Sequence, residues 1–215
     1  MPGGRWLLVQ WAPIRTSQSV LAVETITDIT ETKQREEEYR RLKEQFEQLA
    51  ALDPLTGLLN RRGWNELAAR HWRRAGQDSE SLGVLIVDID HFKKINDRWG
   101  HAIGDEALRH IARMLRQNLR PGDLVGRWGG EEFVILLQGG LAEVETSAER
   151  VRQTIAETPC VSDPGGKPFN LTISLGGTAA TPISGTFHEL ESSIAIADKR
   201  LYEAKEKGRN RAIVA

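Results

Sequence analysis

The apolar positions of this 215-residue chain change their spacing several times, and each change predicts an element. Residues 31–52 contain no Gly or Pro, and Tyr39, Leu42, Phe46 and Leu49 recur at steps of three, four and three. That is the seam spacing of a coiled coil, in a helix otherwise rich in Glu, Lys, Arg and Gln. Pro54 ends it, because a proline disfavours helical geometry at the residue before it. Upstream, residues 5–13 and 19–27 alternate in part and predict two strands around a polar turn, Thr16-Ser17-Gln18. Downstream, Trp64, Leu67, Ala68 and Trp72 mark one side of a helix over 63–74. Residues 83–90 are a buried strand that breaks into acid. Then come a helix over 91–98, a loop over 99–104 and a helix over 106–119, with Leu108, Ile111, Ala112 and Leu115 on its apolar face. Asp105 stands where an N-cap would begin that helix. Residues 123–128 and 131–137 read as the two strands of a hairpin. Gly129-Gly130 predicts a two-residue turn with φ > 0 at its centre. A helix over 141–157, a strand over 170–177 and a helix over 187–207 closed by Gly208 complete the chain. Alternating helices and strands around an antiparallel hairpin predict an α/β sandwich (α+β) with a mixed central sheet flanked by helices.

Composition narrows the class. Apolar residues make up 40% and charged residues 27%, as in a soluble globular protein. The balance of 29 basic to 30 acidic residues gives no field for nucleic acid or an anionic membrane. Cys160, the one cysteine, cannot form an internal disulfide, which suits a reducing compartment. No signal peptide or membrane span is read from the sequence, so a cytoplasmic location is expected.

The acids carry the chemistry. Asp88 and Asp90 close an apolar strand and point to the same side, because side chains alternate along a strand. A carboxylate there is costly unless paired or metal-bound. If that strand lies beside the Gly-Gly hairpin, Asp88 converges with Glu131. Clustered carboxylates favour Mg²⁺, and a pair of such ions forms the phosphoryl-transfer clamp of polymerases. Asp90 is expected to cap the following helix instead. Arg61 and Arg62 are expected to hold the connector over 53–62, and Trp64, Trp72 and Trp99 to lie in a core or interface.

Five blocks, in order, closely resemble the GGDEF family of diguanylate cyclases, here in its GGEEF form. They are residues 53–62; Asp88-Ile89-Asp90-His91-Phe92-Lys93-Lys94-Ile95-Asn96-Asp97; Gly100-His101 with Gly104-Asp105; Gly129-Gly130-Glu131-Glu132-Phe133; and residues 197–205 with Gly208-Arg209-Asn210. The resemblance runs from about residue 50 to the C-terminus. It implies a polymerase-palm or nucleotidyl-cyclase-like fold. It also implies condensation of two GTP into cyclic di-GMP and two pyrophosphates, with two domains meeting face to face. Asp88, the Ile89 carbonyl and Glu131 would hold two Mg²⁺ ions, with Mn²⁺ as a substitute. Glu131 would take the 3′-hydroxyl proton, with Glu132 assisting, and Lys93 would stabilise phosphate charge. Asn96 and Asp105 would read guanine, His101 would contact the nucleotide, and Lys205 and Arg209 would reach the phosphates from the last helix.

Arg120-Pro121-Gly122-Asp123 matches the family's RxxD product-inhibition site in content and in its offset from Gly129. Asp28-Ile29-Thr30-Glu31 resembles the closing segment of a PAS sensor domain. The expected organisation is therefore a partial PAS-like end over 1–30, a coiled-coil helix over 31–52 that joins a homodimer, and a catalytic domain over 53–215. Retained Asp88 and Glu131 favour an active cyclase over a non-catalytic receptor for GTP or cyclic di-GMP. Asn96 and Asp105 favour it over another nucleotidyl cyclase.

Overall fold

The computed structural model describes residues 4–15, 20–49, 51–159, 161–162 and 167–215. The chain forms two units, Met1–Ala50 and Ala51–Ala215. In the first, strands β1 (Leu7–Arg15) and β2 (Val20–Asp28) pair antiparallel with Leu7 opposite Asp28. The expected turn at 16–18 lies outside the described residues. Helix α1 (Thr30–Leu49) follows. Asp28 Oδ1 accepts from Thr30 N at 3.0 Å, and Thr30 Oγ1 accepts from Trp6 N at 2.8 Å. The Asp-Ile-Thr segment thus fastens the hairpin to the helix start. Of the expected seam, Tyr39 and Leu42 are exposed, and the side chains of Phe46 and Leu49 lie outside the described set. The helix stops before residue 52 because Leu52 already bridges Leu59 in extended geometry.

The second unit runs β3 (Leu59–Asn60), α2 (Arg61–Asp78), β4 (Leu82–Ile89), α3 (Phe92–Trp99), α4 (His101–Asn118), β5 (Leu124–Arg127) and β6 (Glu132–Gln138). It continues with α5 (Leu141–Glu157), β7 (Val161–Ser162), β8 (Pro168–Phe169), β9 (Ile173–Ala180), α6 (Phe187–Glu206) and β10 (Ala212–Val214). Six strands form one mixed sheet in the order β10-β9-β4-β6-β5-β3. The central strand β4 is antiparallel to both neighbours, and the pairs β9–β10 and β3–β5 are parallel.

The period of two along β4 and β6 assigns the faces. Leu85, Val87 and Ile89 pack with Phe133, Ile135 and Leu137 against α3, α4 and α5. Val84, Ile86, Val134 and Leu136 pack against α2 and α6. Each such side chain, fully buried, contributes about 1.5–3 kcal/mol. By the same alternation Asp88 and Glu132, which are register partners, fall on the face that α6 covers. The expected α/β sandwich is the fold found, and Trp64 and Trp72 are core residues.

Three local expectations are corrected. Helix α2 continues to Asp78 rather than ending at residue 74. Gly76 serves packing there, since a Cβ would come within 3.2 Å of the Gly185 backbone. The loop expected over 99–104 shrinks to Gly100, whose φ of 82° makes the whole break between α3 and α4. Asp105 therefore lies inside α4 and caps nothing. No helix among the described residues is long and apolar enough to cross a membrane.

Candidate active site

Helices α3 and α4 meet at Gly100 and form two walls of a cleft. On α3, Phe92 and Ile95 are buried in the core. Lys93 and Asn96, three apart, share another side of the helix. On α4, His101 and Asp105 are four apart, and Ala107, Leu108 and Ile111 anchor the helix. Lys93, Asn96, His101, Asp105, Arg127 and Glu131 all line this cleft of about 500 Å³. It brings together five of the residues singled out from the sequence, from three separate segments.

The loop that carries Glu131 is not the two-residue turn expected. Arg127 pairs with Phe133, and both Trp128 N (2.8 Å) and Gly129 N (3.3 Å) donate to Glu132 O. Gly129 and Gly130 are absent from the positive-φ residues. What glycine supplies here is open backbone: a Cβ on Gly130 would meet nothing within 4 Å.

Arg127 fixes the loop, a role the sequence reading missed. Its Nη2 and Nε donate to Gly130 O at 2.6 and 3.2 Å. Its Nη1 reaches both Asp53 oxygens at 3.2 and 3.3 Å. Asp53 in turn accepts from Thr56 N and Thr56 Oγ1 at 2.8 and 2.7 Å. The start of the unit is thereby tied to the residue next to Glu131. Arg61 stacks on Trp128 at 4.6 Å beside the same loop. Arg127→Ala should cost about 1.5–3 kcal/mol in urea unfolding, the range for hydrogen bonds to charged groups. Amide exchange at Gly129, Gly130 and Glu131 should quicken. Unchanged exchange there would show that the loop keeps its shape without Arg127.

Asn96 rests on Gly104, a second contact the sequence did not display. A Cβ at Gly104 would lie 2.0 Å from Asn96 Oδ1. That oxygen is buried and has no hydrogen-bond partner. The expectation that it accepts from a base therefore requires the amide to turn over, and the turn breaks no existing bond of the oxygen.

Asp88 and Glu131 converge at the end of the sheet, where Ile89 N donates to Glu131 O at 3.4 Å. Burial pushes the Asp88 carboxyl above its ordinary acidity range, and Lys205 beside it pulls it back. Burial also pushes Glu131 up, and the negative charge of Asp88 adds to that. Lys205 Nζ of α6 lies 2.9 Å from Asp88 Oδ2. Glu132 adds a further negative charge to both acids. Such crowding fits a divalent cation. No cluster of three or more Asp, Glu, His or Cys among the described residues forms a complete cage.

Three expectations fall elsewhere. Asp90 does not cap α3, because its oxygens are taken by Thr172 Oγ1 (2.7 Å), Ser174 Oγ (2.7 Å) and Asn210 N (3.0 Å). It anchors the segment after α6 to the sheet. Arg209 is not on the last helix but in the reversal beyond it, at φ 63° after Gly208 at 109°. Arg120 and Asp123 lie at the end of β5 remote from Gly129. There the Asp123 carboxylate folds back to accept from Arg120 N (2.9 Å) and Gln138 N (3.2 Å). Arg120 is exposed, and no described residue pairs with its guanidinium.

Comparison with known proteins identifies the family. The family model described as "Diguanylate cyclase, GGDEF domain" matches residues 50–211. The response regulator PleD of Caulobacter vibrioides is 41% identical over 164 residues, 76% of this chain and 36% of PleD. The diguanylate cyclase DosC of Escherichia coli is 39% identical over 175 residues, 79% of this chain and 37% of DosC. The chain thus spans little more than a third of these curated relatives. The GGDEF domain of DgcB from Caulobacter crescentus, solved with c-di-GMP, superposes with a TM-score of 0.71 at 30% identity, covering 77% of this chain and 95% of that one. From residue 50 to residue 211, the chain belongs to the GGDEF-domain family of diguanylate cyclases.

Proposed function

We propose that the protein is a diguanylate cyclase that joins two GTP molecules into cyclic di-GMP and releases two pyrophosphates. The observation that carries this is the cleft in which Asn96, Asp105, Lys93 and Glu131 meet from three segments. Asp105 accepts from the N1 and N2 groups of guanine, and Asn96 reads the same edge. His101, exposed at the start of α4, contacts the nucleotide from the rim. Lys93 and Lys205 set positive charge against the triphosphate where negative charge develops. Arg209 follows on the reversal after α6.

Asp88, the Ile89 carbonyl and Glu131 would hold two divalent ions, Mg²⁺ with Mn²⁺ as a substitute. Once bound, these supply Lewis-acid charge and a clamp on the attacking and leaving oxygens. Glu131, its proton affinity raised by burial and by Asp88, takes the proton of the ribose 3′-hydroxyl. The 3′ oxygen bonds to the α-phosphorus of the other GTP, and the bond from that phosphorus to pyrophosphate breaks. Glu132 assists from the α6 face. One domain holds half of the reaction, so two copies meet, brought together by the helix over 31–52. Residues 1–30 are the end of a PAS-like domain, and the catalytic domain occupies 53–215. A GTP-consuming reaction places the chain in the cytoplasm.

Calorimetry with non-hydrolysable analogues of GTP and ATP, in Mg²⁺, tests the base assignment. The GTP analogue should bind at least roughly tenfold tighter, as expected when paired polar groups are left unmatched by the wrong base. Equal affinities would remove guanine recognition from the cleft.

Product inhibition acts through Arg120, whose free fork of donors suits phosphate oxygens or the N7/O6 edge of guanine. Asp123 already fastens its own turn, so Arg120 gives the cleaner test. Arg120→Ala should keep the initial rate and lose inhibition by cyclic di-GMP. Equal inhibition of variant and parent would exclude the site.

A further inference from the structure

We propose that Lys205 is a resident counter-ion that blocks metal entry until nucleotide arrives, so that metal and GTP bind together. This rests on the GTP reading above. Asp88 is almost wholly covered, its side chain 7% exposed, and an unpaired carboxylate there would be costly. The Lys205 ammonium meets that need at 2.9 Å. A divalent ion at the Asp88 carboxylate would stand against a positive charge already seated there.

Lys205 can leave, because its side chain is 31% exposed and carries the charge on a flexible four-carbon stem. Metal alone offers the displaced ammonium no new partner. A triphosphate does, by giving it anionic oxygens next to the same acids. Two carboxylates hold a hard divalent ion only weakly without nucleotide oxygens, so the opposing charge of Lys205 decides whether metal stays. Lys205 thus has two stations, Asp88 in the free protein and phosphate in the loaded one.

The test is Mn²⁺ binding, read by electron paramagnetic resonance on the full chain without and with a non-hydrolysable GTP analogue. Parent protein should bind Mn²⁺ weakly alone and at least roughly tenfold tighter with the analogue. Lys205→Met should gain roughly tenfold or more in Mn²⁺ affinity without nucleotide, by analogy with the effect of a neighbouring charge on protonation. Lys205→Arg, which keeps the charge, should not gain. Adding Asp88→Asn to Lys205→Met should abolish the gain. Parent protein that binds Mn²⁺ equally with and without the analogue overturns the proposal, as does Lys205→Met without a gain. If the parent binds no Mn²⁺ even with the analogue, the GTP reading itself fails.

Discussion

Glu131→Gln should lower turnover of GTP by roughly 10²–10⁴, the range for loss of a positioned proton acceptor, while making the protein more stable at neutral pH. The two effects share one cause. Burial and the neighbouring Asp88 raise the Glu131 pKa above its ordinary value. The folded state therefore holds that proton more tightly than the unfolded chain does. Stability falls as pH rises through the raised pKa, since the ionised form is disfavoured only in the fold. Gln carries no charge and escapes that penalty. The gain of the variant over the parent should appear in thermal melts at pH 7 and vanish below about pH 4, where both states are protonated. A variant that is destabilised at pH 7, or that retains near-parental turnover, would contradict this account of Glu131.

Gly176→Ala should produce the largest loss of stability of any single methyl added to the sheet. Strand β9 passes directly under α6 at this point. A Cβ would lie 2.1 Å from both Ala197 O and Leu201 N, and 2.7 Å from Leu201 Cα. All three are backbone atoms of a helix, which cannot step aside as a side chain tip can. The cost should reach about 3 kcal/mol, the upper part of the overpacking range. For a domain of this size that corresponds to a fall of roughly 6–12 °C in Tm. Because α6 carries Lys205, the Asp88 ion pair should loosen as well. Gly130→Ala is the control: with open space around that position, its Tm should stay within a degree or two of the parent. Equal melting temperatures for Gly176→Ala and the parent would show that α6 is not seated as described.

Much of this was legible in the sequence, and what was not has a common physical reason. The run of apolar residues into Asp88 announced the central strand, and the helix predicted over 141–157 matches α5 (Leu141–Glu157). Lys93, Asn96, His101, Asp105 and Glu131 were identified and do line one cleft. The misses depend on partners distant in the chain. Nothing near Arg127 shows that Asp53, 74 residues away, will receive its guanidinium. Nothing near Asp90 shows that Thr172, Ser174 and Asn210 will occupy its oxygens. Gly104 and Gly176 look like turn or strand-breaking residues until the Asn96 amide and the α6 backbone are seen against them. The Gly129-Gly130 pair misled in the opposite sense, since neither glycine adopts positive φ and only Gly130 opens onto free space.

The most direct measurement of the central claim is product formation from GTP labelled at the α-phosphate, incubated with the full chain and Mg²⁺ and resolved by chromatography with mass detection. The proposal requires cyclic di-GMP and two pyrophosphates per product, no corresponding product from ATP, and a rate that rises more than linearly with enzyme concentration because two domains must meet. Intact GTP after prolonged incubation of folded, nucleotide-binding protein would contradict it and mark the cleft as a receptor site.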